Sequence, residues 1–131
     1  MEKIALFFLF LFVAATGFTE NFVLMNQTSY PHQNAKIAIQ WASSAKEVTD
    51  SNHALISGGK LKPNTLQVLT KSGKVNVNIP KNAEYFRVLV WSEEQSDPDY
   101  HTNWVDVIPN KTYTLKTDHL VPTVLMSGMG C

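Results

Sequence analysis

Apolar and polar residues alternate one for one along several stretches of the chain, a spacing that strands satisfy and helices do not. Lys74–Ile79 (KVNVNI) is the clearest case, with Val75, Val77 and Ile79 on one face and Lys74, Asn76 and Asn78 on the other. Asn34–Trp41 places Ile37, Ile39 and Trp41 opposite Lys36, Ala38 and Gln40. Leu66–Thr70 and Lys74–Ile79 flank Lys71-Ser72-Gly73, with glycine where a positive φ is needed, so a hairpin is expected there. Further β-rich runs are Glu20–Tyr30, Ala54–Ser57, Tyr85–Trp91, Trp104–Ile108, Thr112–Lys116 and Thr123–Met126. All six prolines fall between these runs or at their ends, where proline is tolerated, and Gly58-Gly59 marks another turn. Only Ala42–Ser51 has room for a helical turn, and it shows no apolar stripe. The fold class expected is all-β: an antiparallel β-sandwich of about seven or eight strands.

The first seventeen residues do not follow this pattern. Lys3 precedes an unbroken apolar run from Ile4 to Ala15, and Ala15 and Gly17 then give small-residue spacing. A charged start, an apolar middle and a small-residue end make a secretory signal peptide, cut near Gly17/Phe18. The run holds 12 residues, short of the ~20 that span a bilayer. Two domains are therefore not expected: 1–17 is a removed signal and 18–131 a single sandwich domain. Removing 17 of 131 residues takes Glu2 and Lys3 with it, leaving 114 residues with 10 acidic and 10 basic side chains. Such a chain can bury about two-thirds of its unfolded surface and fold alone. The expected location is exported, either secreted or periplasmic, with no stable membrane insertion after processing.

Charge and cysteine content narrow the function. The whole chain carries 11 basic and 11 acidic residues, so partners held by bulk positive charge, nucleic acid above all, are not expected. A single cysteine, Cys131, excludes an intramolecular disulfide framework and a multi-cysteine zinc site.

One short segment carries a local resemblance. Val107-Ile108-Pro109-Asn110-Lys111-Thr112-Tyr113 resembles the tyrosine corner of fibronectin type III and related sandwiches. The resemblance implies an immunoglobulin/fibronectin-III-like sandwich in which the Tyr113 hydroxyl ties back to an upstream backbone group and pins the corner between two sheets. The immunoglobulin Cys…Trp…Cys pattern is absent.

Recognition chemistry concentrates in two places. In Glu84–Ser92, Phe86, Val88 and Val90 form one face, while Tyr85, Arg87, Leu89 and Trp91 form the other, and Arg87 is the only arginine. With Val105 and Val107 facing the core, Trp104 and Asp106 turn outward. If these strands are neighbours, Tyr85, Arg87, Trp91, Trp104 and Asp106 share one face. That makes a flat aromatic-arginine platform suited to a protein partner first and a glycan second. The opposite reading is a covered face in which Arg87 has a structural partner. The acidic loop Glu93–Asn103 adds Asp97, Asp99 and Tyr100 as contact residues on a long polar link. Its spacing is not that of an EF-hand, since it lacks the sixth-position glycine and twelfth-position glutamate.

The C-terminus offers Met126, Met129 and Cys131 as soft sulfur ligands that would suit Cu(I), and Cys131 could link two copies by a disulfide. No cofactor is expected. Enzyme signatures such as G-x-S-x-G, H-E-x-x-H and Gly-rich phosphate loops are missing, so no catalytic residue is nominated. Asn26-Gln27-Thr28 and Asn110-Lys111-Thr112 match the N-glycosylation acceptor. The sequence thus reads as an exported interaction module with a host-interaction, inhibitor or accessory role. A copper-binding periplasmic protein and a small secreted hydrolase with a non-motif site are the alternatives.

Overall fold

A computed structural model describes residues 20–57 and 60–124. The expected signal segment, the expected turn at Gly58-Gly59 and the candidate sulfur ligands Met126, Met129 and Cys131 lie outside the described residues. Among the described residues there are nine strands: β1 (Asn21–Asn26), β2 (Lys36–Ala42), β3 (Leu66–Val68), β4 (Gly73–Asn78), β5 (Tyr85–Trp91), β6 (Tyr100–His101), β7 (Val105–Asp106), β8 (Thr112–Leu115) and β9 (Val121–Pro122). One α-helix, α1 (Ala45–Ser57), lies between β2 and β3, and Pro63–Thr65 and Thr117–His119 are short 3₁₀ turns.

The strands make two sheets. The smaller has the order β4-β1-β8, with β1 antiparallel to β4 and parallel to β8. The larger has the order β3-β2-β5-β6-β9, and β7 also pairs with β5. Their apolar faces meet in one core. Phe22, Leu24, Val77 and Leu115 come from the small sheet, and Ile37, Ile39, Trp41, Phe86, Val88 and Val90 from the large one. Aromatic rings join the layers: Phe22 stacks on Phe86 at 4.8 Å between centroids, and Tyr113 meets each of them edge-on at 4.9 Å. Such pairs add about 0.5–1.5 kcal/mol each beyond the area they bury. The described residues are therefore mostly β and sandwich-like, with one α-helix among them.

Three expectations about the strands are corrected. Leu66–Thr70 and Lys74–Ile79 do not form a hairpin. β3 is antiparallel to β2, whereas β4 is antiparallel to β1 in the other sheet. The Leu69 N–H still donates to Ile37 O at 2.9 Å, continuing the β2 pairing before the chain crosses. The reason lies in the core: Leu69 and Val77 both bury there, one from the large-sheet side and one from the small sheet. Gly73 has the expected positive φ of 82°, but the turn serves as a crossing between sheets. The second correction concerns Ala54–Ser57, which is the last turn of α1 rather than a strand. Thr123 and Val124 likewise lie beyond the last strand, β9, which is formed by Val121 and Pro122.

The helix adds a third layer. Leu55 packs with Ala38, Leu89 and Trp91 in a second cluster, flanked by Leu61 and Leu66. The large sheet is thus covered on both faces, which is why six consecutive residues of β2 and of β5 are buried. Helix formation begins at Ser44, whose Oγ accepts the Glu47 N–H at 3.1 Å, while Glu47 Oε1 accepts the Ser43 N–H at 2.8 Å. This S-x-x-E start is a variant of the capping box. The Ser43 N–H, by favouring the charged carboxylate, holds Glu47 below its ordinary pKa.

Candidate functional site

The face carrying the only arginine is brought together much as its alternation implies, but it is covered. Arg87 is 1% exposed. Its Nε donates to Gln40 Oε1 at 2.7 Å, its Nη1 to Asn52 Oδ1 at 2.8 Å and its Nη2 to Ser51 O at 3.5 Å. The guanidinium carbon lies 4.5 Å from the centre of the Trp104 ring, and the Trp104 indole N–H donates to the same Asn52 Oδ1 at 3.0 Å. Burial pushes the Arg87 pKa down to about 10, which leaves the side chain charged at neutral pH. A buried cation is thus held by amide dipoles, a backbone carbonyl and an aromatic face.

The remaining residues of the expected platform divide between core and surface. Trp91 is buried in the helix-side cluster, with Lys36 Nζ 4.3 Å from its ring centre and its indole N–H donating to Ser96 O at 3.3 Å. Tyr85 and Trp104 are half-buried, and Asp106, opposite Tyr85 in register, is exposed. The flat platform of exposed aromatics is therefore roofed by α1, and its arginine cannot reach a ligand in solution.

The acidic loop is braced from within. Asp99 Oδ1 accepts the Ser92 N–H at 2.8 Å, and Asp99 Oδ2 accepts the Ser92 hydroxyl. Asp97 is exposed, and its carbonyl accepts Gln95 Nε2 at 3.0 Å. Tyr100 is half-buried against the main core. Among the described residues, no group of three or more His, Cys, Asp or Glu side chains is placed to hold a metal ion.

The tyrosine corner is present as hydrogen bonds. The Tyr113 hydroxyl donates to Asp106 O at 2.6 Å and accepts the Ile108 N–H at 2.9 Å. Burial is the largest influence on the Tyr113 pKa and raises it, against the lowering effect of the Ile108 N–H. This corner fixes the chain between β7 and β8, and those strands lie on either side of a groove that sequence reasoning missed.

The groove occupies about 450 Å³ on the seam where the two sheets part, within the range of ligand pockets. Its floor is the core itself: Leu24, Phe86, Val88 and Leu115 line it. At the rim stand Val105 and Val121, 37% and 36% exposed, with Asp118 and His119 from the 3₁₀ turn. Two features keep it open. After β6 the ladder is half lost: the Thr102 N–H still donates to Val88 O at 3.0 Å, but the Val88 N–H donates to Thr102 Oγ1 at 2.9 Å in place of a backbone acceptor. On the facing sheet, β8 pairs with β1 alone among the described residues. Val23 N–H to Lys111 O at 2.9 Å and Gln27 N–H to Leu115 O at 2.8 Å show that 111, 113 and 115 turn their backbone polar groups toward β1. Those of Thr112 and Thr114 therefore face away, along the edge that borders the groove.

Nothing in the sequence pointed directly to the groove: Val105, expected to face the core, stands 37% exposed at its rim, and neither Val121 nor Leu115 was marked by any pattern.

His101, 7% exposed, lies behind this seam, opposite Leu89 on the helix-side face, with Nδ1 3.4 Å from Thr123 Oγ1. Burial first and the Arg87 charge second lower its pKa. No family model matches the chain, and no curated protein matches it either. Among the described residues, no helix is long and apolar enough to cross a membrane.

Proposed function

We propose that the chain is an exported interaction module that takes an extended segment of a protein partner into the groove between the sheets. The observation that carries this reading is the coincidence of two unfilled needs at one place. Core side chains are reachable from outside, and the neighbouring edge of β8 has backbone groups turned outward. An added strand would answer both: its backbone pairs along β8 while every second side chain enters the groove. Burial of Arg87 and Trp91 moves the contact surface away from the aromatic face, so a sugar platform there is not favoured. Export itself rests on the charged, apolar and small-residue pattern of residues 1–17. The finer fold assignment, an immunoglobulin or fibronectin-type sandwich, is supported by the Tyr113 corner bonds.

Selection from a displayed library of eight- to ten-residue peptides (lengths chosen from the ~5–6 residues of a usual strand plus flanks) tests the reading. Recovered binders should alternate apolar and polar residues. They should lose the protein when Val105 and Val121 are both changed to Asp, with little change in melting temperature because both side chains are partly exposed. Binders that hold the double variant equally well would overturn the groove as the site.

A further inference from the structure

The two N-glycosylation acceptors, identical as motifs, differ completely in the folded chain. Asn26 is 2% exposed. Its Nδ2, the atom a glycan would occupy, donates to Tyr30 O at 2.9 Å. Its Oδ1 accepts both the Thr28 N–H at 3.1 Å and the Thr28 hydroxyl at 2.7 Å, and that hydroxyl in turn accepts the Tyr30 N–H at 3.1 Å. Every polar atom of this motif's two key side chains is committed to closing the turn that follows β1. A glycan at Asn26 would remove one donor hydrogen and require space that the buried side chain lacks.

Asn110 is the opposite case. It is exposed at the tip of the tyrosine corner, with φ of 68°, in the left-handed region that asparagine tolerates better than most residues. Its backbone N–H donates to Asn21 O at 2.8 Å, so the main chain is anchored, while no described residue bonds its side-chain amide. Lys111 and Thr112 are also exposed. Thr112 heads β8 with its backbone polar groups turned away from β1, so an enzyme can approach all three residues from one side.

We infer that Asn110 is an N-glycosylation site and that Asn26 is not, in any secretory compartment that holds an oligosaccharyltransferase. The inference rests on the export reading but not on the groove. In the transfer, Asn110 Nδ2 attacks the anomeric carbon of an oligosaccharide carried on a polyprenyl diphosphate. A carbon–nitrogen bond forms and the carbon–oxygen bond to the diphosphate breaks. The polyprenyl diphosphate leaves with the electron pair, and the amide proton passes to a carboxylate of the transferase. Because Asn26 must keep its donor for the native turn, chains modified there do not reach the folded, secreted pool.

Expression of the full chain through a eukaryotic secretory pathway tests this, once with its own leader and once with an unrelated signal peptide. Secreted protein should carry one glycan, and enzymatic deglycosylation should convert Asn to Asp at position 110 alone, as read by peptide mass spectrometry. Thr112→Ala should abolish the glycan and Thr112→Ser should keep it, both with unchanged folding because Thr112 is exposed. A secreted, folded protein bearing a glycan at Asn26, or none at Asn110, would overturn the inference. Secretion with the foreign leader alone, with Asn110 modified, would instead overturn the export reading and leave the site intact.

Discussion

At the scale of single residues, Arg87 dominates the energetics of the helix-side face. Its charge is out of water, and the groups that replace water are Gln40, Asn52, the Ser51 carbonyl and the Trp104 ring. Arg87→Ala combined with Trp104→Ala should therefore cost roughly 3 kcal/mol or more, because it empties volume and leaves buried amide acceptors unpaired. A fall in melting temperature of roughly ten degrees follows for a domain of this size; a thermal scan superimposable on that of the unmodified protein would contradict it. His101 adds a pH dependence. Its folded-state pKa lies below the ordinary 6.5, so the unfolded chain binds the proton more readily. The stability it contributes is complete above pH 6.5 and is lost as pH falls from there through the lower folded-state value. Melting temperatures across pH 7.5 to 5 should drop more steeply for the unmodified chain than for His101→Gln. The oddity of a sole arginine between aromatics was legible in the sequence. Its role was not, because its partner Asn52 lies 35 residues away and no local spacing joins them.

At the scale of elements, α1 shows how a pattern can be present and still not read as one. Val48, Ser51, Asn52 and Leu55 recur at helical spacing and turn inward, half-buried or buried, with Ala54 half-buried beside them. The stripe lacks apolar character in its middle because that part meets a guanidinium instead of a core. Helix and sheet are matched by polarity there, so neither half is interpretable alone. The pair Ser44 and Glu47 caps the helix's first turn, a signal that sequence reasoning did not use. By contrast, the tyrosine corner was legible in full because its bonds span only five and seven residues. β2, β4 and β5 were legible from alternation, but the partner of β4 was not, since pairing is decided by which sheet buries Val77 and Leu69. The matched polarity of α1 and β5 predicts strong coupling. Asn52→Leu should complete the apolar stripe yet destabilise by about 1–3 kcal/mol, by orphaning Arg87 Nη1 and the Trp104 indole N–H. Arg87→Leu should be costly for the complementary reason. The double variant should lose less than the two single losses together, with a coupling of about 1–3 kcal/mol in a double-mutant cycle. Strict additivity in urea denaturation would show that the helix is not held by this contact.

At the scale of the whole molecule, the two sheets are closed against each other at one seam and parted at the other. Residues 69–72 carry the chain across the first seam, between β3 and β4. At the second, the route β7–β8–β9 crosses from the large sheet to the small and back, and each of these strands has four residues or fewer. Short strands blunt an edge against uncontrolled pairing, and the groove beside the outward edge of β8 is where the proposed partner strand would add. This gives strand addition a test that a merely greasy pocket would pass differently. The Thr114 N–H points away from β1, so Thr114→Pro removes an outward donor without taking a bond from the β1–β8 ladder. Proline in an extended edge position also restricts the unfolded chain, a gain of about 0.4–1 kcal/mol that offsets local crowding. The variant should therefore keep its melting temperature within a few degrees. Its affinity for an alternating peptide should nonetheless fall about tenfold or more, the effect of one backbone hydrogen bond of about 1.4 kcal/mol. Equal binding by Thr114→Pro, alongside loss in the Val105/Val121 double variant, would mean that side chains alone seat the partner and that the outward edge of β8 takes no added strand.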